Sequence, residues 1–156
     1  MKKTISLIGI ITLLFISACK KETVNTIPET DYLIFGNFYG ECLGSSCVET
    51  YKLTDSKLHK DANNDYNHSN YTWNQLTGEK YISVKELANH IPSELLADSI
   101  QVYGCPDCRD QGGIYIEYAE NGVVRSWRVD NDKGTVPPFL HSFMDEIHDN
   151  ILDLNK

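Results

Sequence analysis

Residues 112–130 read GGIYIEYAENGVVRSWRVD, and this stretch restricts the fold more than any other. Apolar and polar residues alternate on both sides of Asn121-Gly122, a dipeptide that accepts the two left-handed conformations of a type I′ turn. A two-residue turn leaves one register: Glu120 opposite Val123, Tyr118 opposite Arg125, Ile116 opposite Trp127 and Ile114 opposite Val129. One face then collects Ile114, Ile116, Tyr118, Val123, Trp127 and Val129 and is the expected core face. The other carries Tyr115, Glu117, Ser126 and Arg128 and is expected to meet water. A lone hairpin is marginal in water, so the apolar face must find a cover.

A cover follows directly. Pro137 and Pro138 open a helix, where a missing N–H costs nothing, and Phe139, Phe143, Ile147, Ile151 and Leu154 recur at helical spacing. Upstream, YLIFGNFYGEC (32–42) alternates: Tyr32, Ile34 and Phe38 on one face, Asn37, Tyr39 and Glu41 on the other, with Phe35 out of pattern. Gly36 and Gly40 suggest a bend or a close backbone approach. Leu43-Gly44-Ser45-Ser46 then joins this run to CVETYKL as a second hairpin, and KLHKD forms a third short strand. Residues 61–70, DANNDYNHSN, are an Asn/Asp-rich loop. Ser83-Val84-Lys85-Glu86 has the spacing of a capping box and predicts a helix start, with Leu87 and Ile91 inward and Pro92 as the stop. SELLAD adds a further turn, and SIQVYG a short strand. The expected fold is one α+β domain over residues 31–156. It has an antiparallel sheet of about five to six strands, including two hairpins, packed against two helices in two layers. A 41 % hydrophobic composition supplies the core for it.

The first nineteen residues, MKKTISLIGIITLLFISAC, combine a positive start (Lys2, Lys3), an apolar stretch from Ile5 to Ile16, and Ile16-Ser17-Ala18-Cys19. The stretch falls short of the ~20 apolar residues of a comfortable spanning helix. The last four residues resemble the lipobox of bacterial lipoprotein signal peptides. That resemblance implies removal of residues 1–18, diacylglycerol in thioether linkage on Cys19, and acylation of the new N-terminus. Two or more acyl chains anchor stably where one does not. Residues 19–30 are then the lipidated cysteine and a polar tether, and Lys20-Lys21-Glu22 resembles the surface-export tethers of some outer-membrane lipoproteins. The expected location is the bacterial cell envelope, at the outer membrane, on its periplasmic or surface face.

Loss of Lys2 and Lys3 with the leader leaves 12 basic against 22 acidic side chains, a net charge of −10. Such a surface repels phosphate backbones, and the chain has no basic patch with interleaved aromatics, so nucleic acid is not an expected partner. With Cys19 assigned to lipid, Cys42, Cys47, Cys105 and Cys108 remain, an even set in an oxidising compartment. Cys42 and Cys47 flank the hairpin connection, so they are expected to face each other across the ladder within disulfide range. Cys105–Cys108 is left as the second pair. Redox catalysis by Cys105-Pro106-Asp107-Cys108 is the sharper alternative. It lacks the helix that lowers the first thiol's pKa in thioredoxin-like motifs, since RDQGG and a strand follow, and Arg109 is the only nearby cation. The Cys-Pro-x-Cys pattern also resembles one knuckle of a zinc ribbon, with Cys42 and Cys47 as possible further ligands. Arg109 stands where the knuckle's glycine belongs.

No other motif carries chemistry. Asp61-x-Asn63-x-Asp65 copies the start of a calcium loop, but Tyr66 replaces the turn glycine and Thr72 the bidentate glutamate. His141, Asp145 and His148 share a face of the last helix, off its apolar stripe, and are expected to be solvated. Glu41, Glu49, Asp107 and Asp110 read as free carboxylates near the cysteines. No nucleophile elbow, zincin motif, P-loop or dinucleotide turn is present, so no catalytic residue, metal or cofactor is assigned. The stretches FGNFYGECLGSSC and GCPDCRDQGGIYIEY resemble small uncharacterised envelope lipoproteins of bacteria, a resemblance that implies no activity. The expected function is a lipid-anchored, disulfide-stapled binding or interaction module held to the membrane through Cys19. The alternatives are a small thiol- or zinc-dependent enzyme using Cys105 and Cys108, and an inhibitor of a cationic hydrolase such as lysozyme, motivated by the charge and the loops.

Overall fold

The computed structural model describes residues 30–44 and 46–156. The leader, Cys19 and the tether to Glu29 lie outside the described residues. Strands β1 (Tyr32–Phe38), β2 (Val48–Leu53), β3 (Leu58–Asp61) and β4 (Trp73–Gln75) come first. Helices α1 (Gly78–Val84) and α2 (Ser93–Ala97) follow, with a 3-10 turn at Leu87–His90 between them. Then come β5 (Val102–Tyr103), β6 (Gly113–Glu120), β7 (Val123–Asp130) and, after a 3-10 turn at Pro138–Leu140, α3 (His141–Leu154). The strands form one sheet in the order β4-β3-β2-β1-β6-β7-β5, antiparallel throughout except for β5 beside β7. The α+β class is as expected. Among the described residues the sheet has seven strands rather than five to six, and there are three α-helices rather than two.

The β6–β7 hairpin has the expected register, Glu120↔Val123 through Gly113↔Asp130. Asn121 and Gly122 both take positive φ, 52° and 79°, as the type I′ turn requires. On the helix side, Leu33, Phe35, Tyr51, Leu53, Ile114, Ile116, Trp127 and Val129 pack against Val84, Leu87, Leu95, Leu140, Phe143, Met144, Ile147, Ile151 and Leu154. Each such side chain contributes roughly 1.5–3 kcal/mol by leaving water. Val123 is not part of this core: at the hairpin tip, beyond the reach of α3, it is half exposed (51 %).

Three further local expectations change. Phe35 is not an irregularity, because β1 is a central strand with both faces covered, so its Leu33-Ile34-Phe35 run is apolar throughout. The face expected to meet water is also closed. Ile34, Phe38, Val48 and Tyr115 are buried there, with Tyr32, Tyr71 and Trp73 packed against them. Finally, the helix begins at Gly78 and ends where the capping box predicted a start. Ser83 Oγ bonds back to the Lys80 carbonyl (2.8 Å) instead of forward to a free N–H. Leu87 and Ile91 still point inward, the former from the 3-10 turn.

The pairings give the sheet two ends. The start of β1 lies beside the 121–122 turn, where Asp31 Oδ1 accepts the Asn121 N–H (2.9 Å). At the opposite end, where β1 finishes, the connections 39–47, 62–72, 104–112 and 131–137 all gather.

Candidate functional site

The end of the sheet carrying these four connections holds both cysteine pairs. Cys42–Cys47 and Cys105–Cys108 are each disulfide-bonded with Cα atoms 5.5 Å apart. The pairing is the expected one, but the first bridge does not sit across the ladder. Tyr39, not Cys42, faces Cys47, donating its N–H to the Cys47 carbonyl (2.9 Å). The bridge instead closes the loop beyond the ladder. Cys47 is buried, Cys42 is exposed, and Leu43 at the loop tip is fully exposed (103 %). As disulfides the four sulfurs offer no thiolate to a metal. Among the described residues no group of three or more His, Cys, Asp or Glu is placed to hold one.

The loops meet through Asp107, inside the Cys105–Cys108 turn, where φ is +62°. Its Oδ2 accepts the Gly40 N–H of the first stapled loop (2.7 Å) and the Tyr66 hydroxyl of the 62–72 loop (2.9 Å). Its Oδ1 accepts the Gly112 N–H (3.0 Å), and its own N–H reaches the Gly112 carbonyl (3.0 Å). Gly112 has φ +71° and lies against the Tyr39 ring, so a side chain there meets both strain and a clash. Asp107 is thus not a free carboxylate but the junction of three loops.

A second carboxylate organises the base of the same turn. Asp130, 1 % exposed, accepts the N–H groups of Cys105 and Asp132, the Gln111 amide and the Thr135 hydroxyl, all within 2.9 Å. Burial works to raise its pKa, and these hydrogen bonds outweigh burial and hold it below the ordinary carboxylate range. Cys105, Cys108, Arg109, Gln111, Asp130, Asp132 and Thr135 line a cavity of about 390 Å³.

No family model matches the chain, and no curated protein matches it.

The 62–72 loop closes over the outer face of the sheet. His68, 6 % exposed, stacks on Tyr115 (centroids 4.0 Å, 7° apart), and its Nδ1 lies 3.3 Å from Thr50 Oγ1. Burial first, then the Arg128 charge, pushes the His68 pKa down to about 4. Arg128 lies over the Phe38 ring (3.8 Å) and donates to the Tyr66 carbonyl (3.2 Å). Glu117 accepts the hydroxyls of Tyr32 (2.8 Å) and Tyr115 (2.7 Å); burial first, then this bond, raises the Tyr32 pKa to about 12. The carboxylates of the calcium-like stretch are used internally. Asp61 accepts the N–H groups of Asn63, Asn64 and Thr72, and Asp65 those of Asn67, Ser69 and Asn70.

Of the other expected site residues, Glu41 and Asp110 are exposed in their loops. Glu49 is buried instead, paired with Lys60 (2.9 Å) and bonded by the Asn155 amide (2.8 Å), which ties the end of α3 to β2 and β3. On α3, Asp145 pairs with Lys133, while His148 is half-buried and burial lowers its pKa, so that face is only partly solvated. Asp107, Asp130, Tyr66 and His68 carry the geometry of the site. No spacing in the chain singles them out, because their partners come from four separate connections.

Proposed function

We propose that this chain is a lipid-anchored protein of the bacterial cell envelope whose domain is a disulfide-stapled interaction module, presenting the 39–47 and 104–112 loops to a protein partner. The leader and the Ile16-Ser17-Ala18-Cys19 box support the anchor. The observation that carries the reading is one of direction. The tether from Cys19 enters the domain at the start of β1, and both stapled loops stand at the other end of β1, about 20 Å away for a strand of this length. An anchored domain therefore holds these loops away from its attachment point. Leu43 is the apolar tip, and its loop is held by a disulfide and by Asp107 before any partner arrives, which lowers the entropy cost of binding. The net charge of −10 favours a cationic partner and speeds its encounter.

Photo-crosslinking in cells tests the reading, with the full-length protein carrying the probe at Leu43 or at Ile82, an exposed residue of α1. The expected result is a discrete crosslinked partner from position 43, none from 82, and loss of the product in a Cys42→Ser/Cys47→Ser variant. Crosslinking from 82 alone sinks the loop reading. Mass spectrometry of the same membrane-extracted protein checks the anchor separately: the expected chain starts at an acylated Cys19, and an unmodified Cys19 rejects the lipoprotein assignment.

A further inference from the structure

The two disulfides differ in access. Cys42–Cys47 has one buried member, whereas Cys105 and Cys108 are both exposed and both border the cavity of about 390 Å³. Arg109 lines that cavity and has no carboxylate partner among the described residues. Only the second bridge brackets the junction residue: Asp107 sits between its two cysteines and bonds Gly40, Tyr66 and Gly112 from there.

We propose that Cys105–Cys108 is a thiol-exchange site whose substrate is a dithiol, and that opening it releases Asp107 and with it the 39–47 loop. A thiolate of the incoming dithiol bonds to one of the two sulfurs. The S–S electron pair leaves on the other sulfur as a thiolate, in the cavity that Arg109 also lines. The second thiol of the reductant, as a thiolate, then attacks the reductant's first sulfur in this mixed disulfide and expels the bound cysteine sulfur as a thiolate, and both protein thiolates take up protons. Cys105 and Cys108 are left as two thiols, the reductant as a disulfide, and two electrons and two protons have moved to the protein. No helix begins at the motif to lower a thiol pKa, so access and the guanidinium favour the exchange. Once the bridge is gone, the left-handed conformation at Asp107 loses its clamp, and the Gly40 N–H loses the acceptor that ties the Leu43 loop to the rest of the end.

The inference builds on the reading of this end as the interaction surface, but its test reads the loop itself and needs no partner. Full-length protein, purified in detergent under oxidising conditions, is titrated with dithiothreitol. Alkylation and peptide mapping follow the thiols, and amide exchange is read at Gly40, Gly112 and the β6–β7 ladder. The expected result is that Cys105–Cys108 opens at least about tenfold faster than Cys42–Cys47. Exchange at Gly40 should rise about as much as in an Asp107→Gly variant whose bridge is intact, with β6–β7 still protected. Opening of Cys42–Cys47 first, or of both bridges only with loss of the β6–β7 protection, overturns the exchange site. Selective opening that leaves Gly40 as protected as before overturns the release. Failure of the crosslinking experiment above touches neither readout.

Discussion

On the helix side of the sheet, Phe35, Ile116 and Trp127 meet a continuous apolar stripe from α3. On the other side Tyr115, Phe38 and Ile34 are covered mainly by the 62–72 loop, with His68, Tyr66 and Tyr71 as its contacts and Trp73 of the short edge strand β4 stacked on Tyr71. The first face is closed mainly by burial, which is non-directional and tolerant, with the Glu49, Lys60 and Asn155 bonds only at the end of α3. The second is closed by groups that must be oriented: a stacked imidazole, a guanidinium over a ring, a carboxylate between two phenols. Apolar closure therefore responds to changes of volume, and polar closure responds to changes of charge.

The largest expected effect falls on the apolar face. Phe143, 2 % exposed, fills the space between α3 and the sheet, and Phe143→Ala is expected to cost about 3–5 kcal/mol in denaturant unfolding. A cost under 1 kcal/mol would mean that α3 does not close that face.

The polar face is expected to answer to pH instead. His68 is neutral in the fold and takes a proton only near pH 4, whereas the unfolded chain takes one near 6.5. Between those values the unfolded state binds more protons. The contribution is therefore fully present above pH 6.5 and is lost as pH falls through 6.5 towards 4, about 3 kcal/mol in all. Arg128 nearby works in the same direction, and Asp61 and Asp65 against it. His68→Asn, whose side chain tolerates the local φ of +52°, should flatten the slope of unfolding free energy over that range. Half-buried His148 leaves a smaller slope of the same sign. A wild-type protein equally stable at pH 7 and pH 4.5 breaks the comparison, since it would place His68 in water.

The smallest effect is expected at Val123, on the same strand face as Trp127 but half exposed at the tip. Val123→Thr should stay within about 0.5 kcal/mol. A loss comparable to a core substitution would show that the helix-side core extends to the hairpin tip.

The parts of this architecture legible in the residues were those governed by local chemistry. The β6–β7 register follows from Asn121-Gly122, the buried stripe of α3 from 3.6-residue spacing, and the Cys42–Cys47 pair from its place on either side of one hairpin connection, although the bridge closes the loop rather than crossing the ladder. Local signals misled where a helix end carries the spacing of a start and where a tertiary partner covers a face. Ser83 matched a capping box but bonds backwards at a helix end, and the Tyr115 face reads as solvated until a loop from 62–72 folds over it.

The sequence by itself determined the period of each main element, the turn that sets the register of the sheet, the apolar stripe that covers it and the local cysteine pairs, because each depends on residues a few positions apart. Tertiary structure alone decided that four connections share one end of the sheet and that Asp107 joins three of them. It also decided that His68 is sealed against Tyr115, and that Glu49 and Asp130 are buried and satisfied. The reason is reach. Gly40 and Asp107 are 67 residues apart in the chain and 2.7 Å apart in space, and a hydrogen bond over that separation exists only after strand order and register have brought both loops to the same end.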